Sequence, residues 1–322
     1  MNHQNHNNSS DENMQSIKFF TPDDLPSEII AYDSEVKQLG VGSVGKLGYL
    51  SLGLKRDQHT GKTIIEEQSS QVPLLTQRAL YYETELPSMA YLHIVSPSGG
   101  ILQGDRYRMD ISLRDGAIAH MTTQGATRLY KMDSNFATQL VNVTLDENCY
   151  LEFVPDQIIP YKNSRFYQRV TLNVHDNASM IYSEIVVPGR TAMNESFEYD
   201  ICYLKTMAQN QANTLRFVDV AMLEPKKQNL NVFGILGNQT VVGTVYIISK
   251  KDYVFELCDE INSNLQNNKK VSFGASILPH NAGILVRLAG DSASDIKDSI
   301  YEVVKITRKK ILNAPFTGIR KN

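Results

Sequence analysis

Three stretches of the chain repeat one pattern of strand, tight turn and strand, and this repeat limits the possible folds more than any other feature. They begin at Ile111, Val143 and Leu172, and their turns, each followed by a small residue, are Asp115-Gly116, Glu147-Asn148 and Asp176-Asn177. The turns lie 32 and 29 residues apart. Gly or Asn at the second turn position suits a positive φ. A period of about 30 residues indicates stacked units that bury apolar faces against their neighbours, which predicts a solenoid-like β architecture, with a β-sandwich of regular hairpins as the alternative.

Apolar periodicity separates a β region from a helical C-terminal third. From about residue 45 to residue 245 the apolar residues follow a period of two, as in strands. Helical spacing then predicts two helices, one with an apolar face of Val254, Leu257, Cys258, Ile261 and Leu265, and one with Ile296, Ile300, Val303, Val304 and Ile311. We expect Ser294 or Asp295 to cap the second helix. Its last turn carries Arg308, Lys309 and Lys310, which predicts a solvated face that complements the helix dipole.

Charge and apolar content argue against a nucleic-acid-binding protein and against a membrane-spanning one. Of the 322 residues, 32 are Lys or Arg and 35 are Asp or Glu, so no basic surplus points to nucleic acid or to anionic membranes. No stretch approaches the ~18 apolar residues that a spanning helix needs. Residues 1–15 lack the apolar centre of a secretory signal, which predicts a disordered tail on a cytoplasmic protein. The widely spaced Cys149, Cys202 and Cys258 predict reduced, buried thiols.

Motifs of the common enzyme classes do not occur in the sequence. There is no nucleophile elbow, zinc-protease helix, Walker loop or Rossmann fingerprint. The glycine-rich residues 40–45 lack the Lys-Ser/Thr pair of a phosphate-binding loop. Only His3 and His6 have the spacing of a metal-binding face, and they lie in the predicted tail, whereas His93 and His120 are interpreted as strand residues rather than ligands. The pattern therefore predicts no turnover of substrate.

Four segments rich in glycine, hydroxyl and carboxylate side chains carry the functional signal. Their motifs are Gly99-Gly100-Ile-Leu-Gln-Gly104-Asp105, then Thr122 to Tyr130, then Leu151 to Pro155, and then Glu184 to Arg190 followed by Glu195. The order of these motifs resembles the UreD family of urease accessory proteins, called UreH in some systems. The resemblance runs from about residue 73 to residue 308. The chain departs from the family pattern at Arg128, at Asp156-Gln157 and in the absence of a terminal Trp.

The resemblance implies a right-handed β-helical body with two C-terminal helices, in agreement with the strand repeat. It also implies a non-enzymatic chaperone that bridges apo-urease to UreF, which holds the nickel-carrying GTPase UreG, and that helps to deliver nickel to the urease active site. The implied partners are UreF directly, UreG through UreF, and apo-urease. No tightly bound cofactor is implied, only transient Ni²⁺ in a water-filled internal passage.

Carboxylates and hydroxyls in the matched motifs are the candidates to line such a passage. They are Asp105, Glu184, Glu195, Glu152 and Thr127. A carrier must release its ion, and a few oxygen ligands hold Ni²⁺ more weakly than a His/Cys cage would. The motif residues expected to have structural roles are Gly99, Gly100, Gly104, Thr122, Thr123, Gly125, Arg128, Tyr130, Pro155, Gly189 and Arg190. In the alternative interpretation, Asp105 caps its glycine turn and Glu184 pairs with Arg190 or Arg128, since buried charges are usually paired.

Two rival functions remain open at the level of sequence. One is a carboxylate-dependent hydrolase that uses Asp105 and Glu184, although the sequence offers no nucleophile and base beside them. The other is a structural β-solenoid adhesin, which the cytoplasmic-looking N-terminus disfavours.

The chain is expected to divide into three parts. Residues 1–35 form a poorly ordered extension, residues 36–312 a single β-helical domain that includes the C-terminal helices, and residues 313–322 a tail. The region from residue 250 onward is expected to provide much of the UreF contact, because its amphipathic helices end in a tail that could order on binding.

Overall fold

The computed structural model describes residues 17–37, 43–232, 235–265 and 269–318. The strands in these ranges are β1 (Leu47–Arg56), β2 (Thr63–Gln71), β3 (Leu75–Thr76), β4 (Ala90–Val95), β5 (Arg106–Arg114), β6 (Ile118–Thr123), β7 (Thr127–Leu129), β8 (Ala137–Leu145), β9 (Tyr150–Phe153), β10 (Ile158–Pro160), β11 (Arg165–Val174), β12 (Ser179–Val186), β13 (Ile201–Gln209), β14 (Leu215–Leu223), β15 (Val241–Ile248), β16 (Val271–Ile277) and β17 (Ile284–Gly290). The helices are α1 (Ile17–Phe20), α2 (Ser27–Ile30), α3 (Lys251–Leu265) and α4 (Ala293–Leu312), with 3₁₀ turns at Thr191–Met193 and Pro279–Asn281. None of the helices in the described ranges is both long enough and apolar enough to cross a membrane.

Two large sheets face each other, and the chain winds between them. The first sheet has the order β14-β13-β11-β8-β5-β1-β2, and the second has the order β16-β17-β15-β12-β9-β6-β4-β3. β7 and β10 pair on a short third side. Successive coils stack in parallel, with Ile111 opposite Val143 and Val143 opposite Leu172, which is the register of the sequence repeat. The predicted stacked-strand fold is confirmed, and a sandwich of hairpins is excluded because each repeated turn joins strands of different sheets.

The repeated turns differ in backbone conformation. Gly116 and Asn148 adopt φ of 71° and 61°, as predicted, but Asn177 does not adopt a positive φ. Its N–H instead donates to Nδ1 of His175 at 3.0 Å. The small residues that follow the three turns are all buried where the coil bends into the second sheet: Ala117, Cys149 and Ala178.

Apolar residues fill two layers. One lies between the sheets, and the other lies between the outer face of the second sheet and α3 and α4. The predicted apolar faces of both long helices are buried in the second layer, apart from a half-buried Ile311. All three cysteines are free and buried, as predicted.

Helix α4 differs from the prediction at both ends. Its N-cap is Ser292, which accepts from the Asp295 N–H, rather than Ser294 or Asp295. Ser292 has the extended backbone that a capping residue needs. The helix therefore begins two residues earlier than a cap at Ser294 would place it. At the other end Arg308 is fully buried rather than solvated, because it faces the second sheet and its buried carboxylates.

Residues at both ends of the domain pack on the body. Residues 17–35 were expected to be poorly ordered, but Phe20 and Ile29 are fully buried, and Asp24 accepts from Arg169 at 2.7 Å and Lys205 at 2.5 Å. Residues 1–16 lie outside the described residues. Residues 313–318, which belong to the predicted tail, lie against α4 and the second sheet. The division into domains otherwise stays a prediction.

Candidate functional site

A cavity of about 270 Å³ lies between the two sheets and opens beside the first two motifs. Its walls come from β5, β8 and β11 of the first sheet and from β9 and β12 of the second. The exposed residues of the lining include Gly99, Gly125 and Arg128 of β7, so the cavity opens beside the loops of the first two motifs. A side chain at position 100 would place its Cβ 2.3 Å from the Tyr130 ring, so this wall requires glycine. The glycine motif therefore shapes the entrance of the cavity.

Two buried carboxylates line this cavity, and Glu184 is the one without an ion pair, since Asp156 binds Lys297 at 2.6 Å. Glu184 lies on β12, and its side chain is 7% exposed. Oε1 accepts hydrogen bonds from the Tyr182 hydroxyl at 2.9 Å, the Gln168 amide at 2.8 Å and the Thr206 hydroxyl at 3.4 Å. Oε2 accepts none from the residues that the structure describes. Oε2 is therefore available to a ligand that enters the cavity.

The environment of Glu184 makes it a weak acid. Burial raises the pKa of its carboxyl group to about 7, and the negative charge of Asp219 raises it too, against the hydrogen bonds from Tyr182, Thr206 and Gln168. No Arg or Lys pairs with Glu184 among the described residues, so the alternative pairing with Arg190 or Arg128 is wrong. At neutral pH the carboxyl group therefore exchanges readily between its neutral and charged forms.

A row of amides leads from Glu184 into the cavity. The Gln168 side chain accepts from the Gln139 amide at 3.0 Å, and both residues line the cavity with Tyr107. These three occupy one register position on successive coils, with Tyr107 opposite Gln139 and Gln139 opposite Gln168. The predicted site missed Gln139 and Gln168. Their spacing of 29 residues, equal to the period of the repeat, is the signal that could have found them.

Asp105 does not line the cavity. It is fully buried and accepts from the Lys46 backbone N–H at 2.8 Å, the Lys46 ammonium at 3.2 Å and the Leu102 N–H at 3.0 Å. The Tyr107 hydroxyl adds a bond of 3.1 Å. The carboxylate thus closes the glycine turn, in agreement with the capping interpretation, and is neutralised by Lys46.

Glu152 also lies elsewhere, on the outer face of the second sheet under α4. Arg308 binds it through Nε at 2.8 Å and Nη2 at 2.5 Å, and His120 Nδ1 lies 2.6 Å from Oε2. Arg308 also reaches Glu83 at 2.7 Å, and the Phe316 ring covers both Arg308 and His120. His120 is thus a buried strand residue, as predicted. Its Nε2 has no hydrogen-bond partner among the described residues.

The remaining candidates divide between the cavity entrance and the surrounding loops. Thr127 and Pro155 line the cavity, as does Thr123, whose hydroxyl accepts from the Asp156 N–H. Thr122 instead donates to the Val154 carbonyl. Glu195 pairs with Arg190 outside the cavity. Gly104 and Gly189 have positive φ and are crowded, since an added Cβ would lie 2.7 Å from Val36 and 2.8 Å from the Glu195 carbonyl, respectively.

The structure therefore brings Glu184 and Thr127 to one cavity, but not Asp105, Glu152 or Glu195. Within the described ranges there is no group of three or more His, Cys, Asp or Glu side chains that could hold a metal ion. Glu184, as the one lining carboxylate without a cationic partner, can with its amide and hydroxyl neighbours bind a cation weakly and release it.

Known proteins with the same sequence pattern are urease accessory proteins. The family model for the UreD urease accessory protein matches residues 46–321. Urease accessory protein UreD of Cenarchaeum symbiosum is 43% identical over 284 residues, 88% of this chain and 99% of that protein. UreD 2 of Brucella canis is 35% identical over 289 residues, 89% of this chain and 95% of that protein. UreD of Yersinia pseudotuberculosis is 35% identical over 287 residues, 88% of this chain and 89% of that protein.

Proposed function

The chain belongs to the UreD family of urease accessory proteins, and we propose that it matures urease by passing Ni²⁺ through the cavity between its two sheets. In this proposal it bridges apo-urease to UreF, which holds UreG, and acts in the cytoplasm. It performs no catalysis itself, and Ni²⁺ is its cargo rather than a resident cofactor.

One observation supports the proposal: of the two carboxylates that line the cavity, Asp156 is paired with Lys297, whereas Glu184 has no cationic partner among the described residues and leaves one oxygen unbound. Gln139, Gln168 and Thr127 add amide and hydroxyl groups along the walls. Hard oxygen ligands bind a divalent ion, and a low ligand charge keeps the affinity low. Such a lining suits transfer of an ion better than storage.

The rival hydrolase hypothesis requires Asp105 and Glu184 to act on one substrate. Asp105 is held by Lys46 and by backbone N–H groups away from the cavity, whereas Glu184 lines it. A pair of catalytic carboxylates must converge on the same pocket. The arrangement of these two residues therefore favours the transfer function.

The test is the variant Glu184→Gln, assayed in cells or in a reconstituted complex with urease, UreF and UreG at limiting nickel. The amide keeps the size of the side chain but removes the charge, so we expect normal co-purification of UreF and a severalfold lower nickel content of urease. Excess nickel should partly restore it. Glu195→Gln is the matched control, because Glu195 pairs with Arg190 outside the cavity. Full nickel loading by Glu184→Gln at limiting metal would contradict the proposal.

A further inference from the structure

Five polar side chains form a closed ring across the gap between the sheets, next to the cavity. On the second sheet Glu184 pairs in register with Thr244, and Thr244 with Arg287. On the first sheet Thr206 pairs in register with Asp219. Across the gap Thr206 donates to Glu184, and Arg287 Nη2 lies 2.6 Å from both Asp219 oxygens. Arg287 Nη1 completes the ring by donating to the Thr244 hydroxyl at 2.8 Å.

The ring holds two carboxylates but only one cation. Register partners on neighbouring strands have Cβ atoms about 5 Å apart, so Thr206 stands between Glu184 and Asp219. The negative charge of Asp219 contributes to the raised pKa of Glu184. Arg287 binds Asp219 through both oxygens and leaves Glu184 without a cationic partner.

Titratable and charged groups on several strands set the charge environment of Glu184. The titratable and charged groups that face it are Tyr182 on its own strand, Cys202 on β13, Asp219 on β14, Tyr246 on β15 and Arg287 on β17. The Tyr246 hydroxyl donates to Asp219 at 2.5 Å. Arg287 is the single cation of this set.

We propose that Arg287 is a built-in counter-cation that occupies Asp219 and so prevents Glu184 and Asp219 from forming a two-carboxylate site that would trap a divalent ion. This role rests on the proposed function, since it sets how tightly the cavity holds its cargo. The affinity of oxygen sites for divalent ions rises with the number of charged ligands. With Arg287 in place an entering ion meets one uncompensated carboxylate, and without it two carboxylates flanked by the hydroxyls of Thr206 and Thr244.

Arg287 does not touch the cargo in this scheme, so it is a positioning residue that acts through Asp219. A purely structural role, as a clamp between β14 and β17, would affect stability but not ion affinity. Its side chain is 43% exposed, so a shorter polar residue can replace it without opening a buried void. Substitution can therefore separate the two roles.

The experiment is calorimetric titration of the purified full-length chain with Ni²⁺ alone at pH 8. We expect Arg287→Gln to bind Ni²⁺ at least about tenfold more tightly than the native chain, because a second carboxylate becomes a ligand. Arg287→Lys keeps the charge and should keep the weak binding. The double variant Arg287→Gln/Asp219→Asn should return to the native affinity. Arg216→Gln is the matched control, since Arg216 pairs with Asp176 from the same strand as Asp219 and should leave the affinity unchanged.

The pH dependence of the same titration gives a second readout. The tight binding of Arg287→Gln should fall steeply between pH 8 and pH 6, with proton release on binding, because the ion competes with protons for the carboxylates. An unchanged Ni²⁺ affinity in Arg287→Gln, or an equal gain in Arg287→Lys, would overturn the role of Arg287.

A second variant serves if Arg287→Gln fails to fold. Asp219→Asn leaves the Arg287 charge uncompensated beside Glu184, so Ni²⁺ binding should become weaker than in the native chain, and equal or tighter binding would refute the proposal. These titrations use the isolated chain. Their failure is therefore distinct from normal nickel loading by Glu184→Gln, which would remove the transfer function itself.

Discussion

Glu152 and Glu184 are buried glutamates on adjacent strands of one sheet, yet their side chains face opposite ways and meet opposite environments. Burial alone would raise the pKa of Glu152, but hydrogen bonds and charge from Arg308 and His120 lower it to about 2. Burial raises the pKa of Glu184 to about 7, and no cation compensates it directly. The difference shows that the partner, rather than the depth of burial, decides whether a carboxylate stabilises the fold or is available to a ligand.

The largest effect is expected from Arg308→Met, which leaves Glu152 and Glu83 buried without their cation. Breaking a buried pair by removing one partner costs roughly 3–5 kcal/mol in the free energy of unfolding. Glu184→Gln removes a charge that has no cation and should leave this free energy unchanged or higher. Urea denaturation at pH 7 measures both.

Lys309→Met is the matched control for Arg308→Met, because Lys309 is exposed on the next position of the same helix turn. We expect it to change the free energy of unfolding by less than about 0.5 kcal/mol. If Arg308→Met lowered the free energy of unfolding by a similarly small amount, the ion pair of Glu152 would not stabilise the fold as stated.

The pH dependence of stability should separate the two glutamates in sign. The folded pKa of Glu184 is raised from 4.5 to about 7, so its contribution is present below pH 4.5 and is lost as the pH rises through 7, by about 3 kcal/mol at most. Glu152 has a lowered folded pKa, so its contribution is present above pH 4.5 and is lost as the pH falls toward 2. Denaturation of the native chain and of Glu184→Gln from pH 5 to pH 8 tests this. Parallel profiles of the two proteins would show that Glu184 does not titrate as stated.

Asp105→Asn adds a third carboxylate to the comparison and should destabilise the chain less than Arg308→Met. From the sequence, the cost of this change as a turn cap is about 1 kcal/mol or less. The structure raises the expected cost to about 2 kcal/mol, because an amide N–H₂ would face the donors of Lys46, Leu102 and Tyr107. Thermal unfolding measures the loss. Nickel loading of urease by the variant should stay normal after correction for the amount of folded protein. A loading defect that remains after this correction would indicate that Asp105 lines the passage.

The sequence predicted the parts of the fold that depend on local pattern. The coil register follows from the repeat because Ile111, Val143 and Leu172 are equivalent positions of successive turns of the chain. The faces of the two long helices follow from the spacing of their apolar residues. Both signals lie within about 30 residues, where periodicity is visible.

Partners distant in the sequence explain what pattern could not predict. Arg308 was expected in solvent because its neighbours are lysines, but its partner Glu152 lies 156 residues earlier. The lysine that neutralises Asp105 lies 59 residues before it, outside every matched motif. The alternative interpretation paired Glu184 with Arg190 or Arg128, yet Arg190 binds Glu195 five residues away instead. The motifs identified the chemistry of these residues, and only the stacking of coils decides which cavity or partner each one faces.

The clasp that Asp24 makes with Arg169 and Lys205 has a consequence for the order of folding. During synthesis each coil can pair with the one made about 30 residues before it, so the body can grow vectorially from its N-terminal side with short loop closures. Asp24 contacts strands that leave the ribosome 145 to 181 residues later, whereas Phe19 contacts Tyr49 and Arg108 of earlier strands. The clasp can therefore close only after β13 has been made, long after the start of the same segment can pack on β1 and β5.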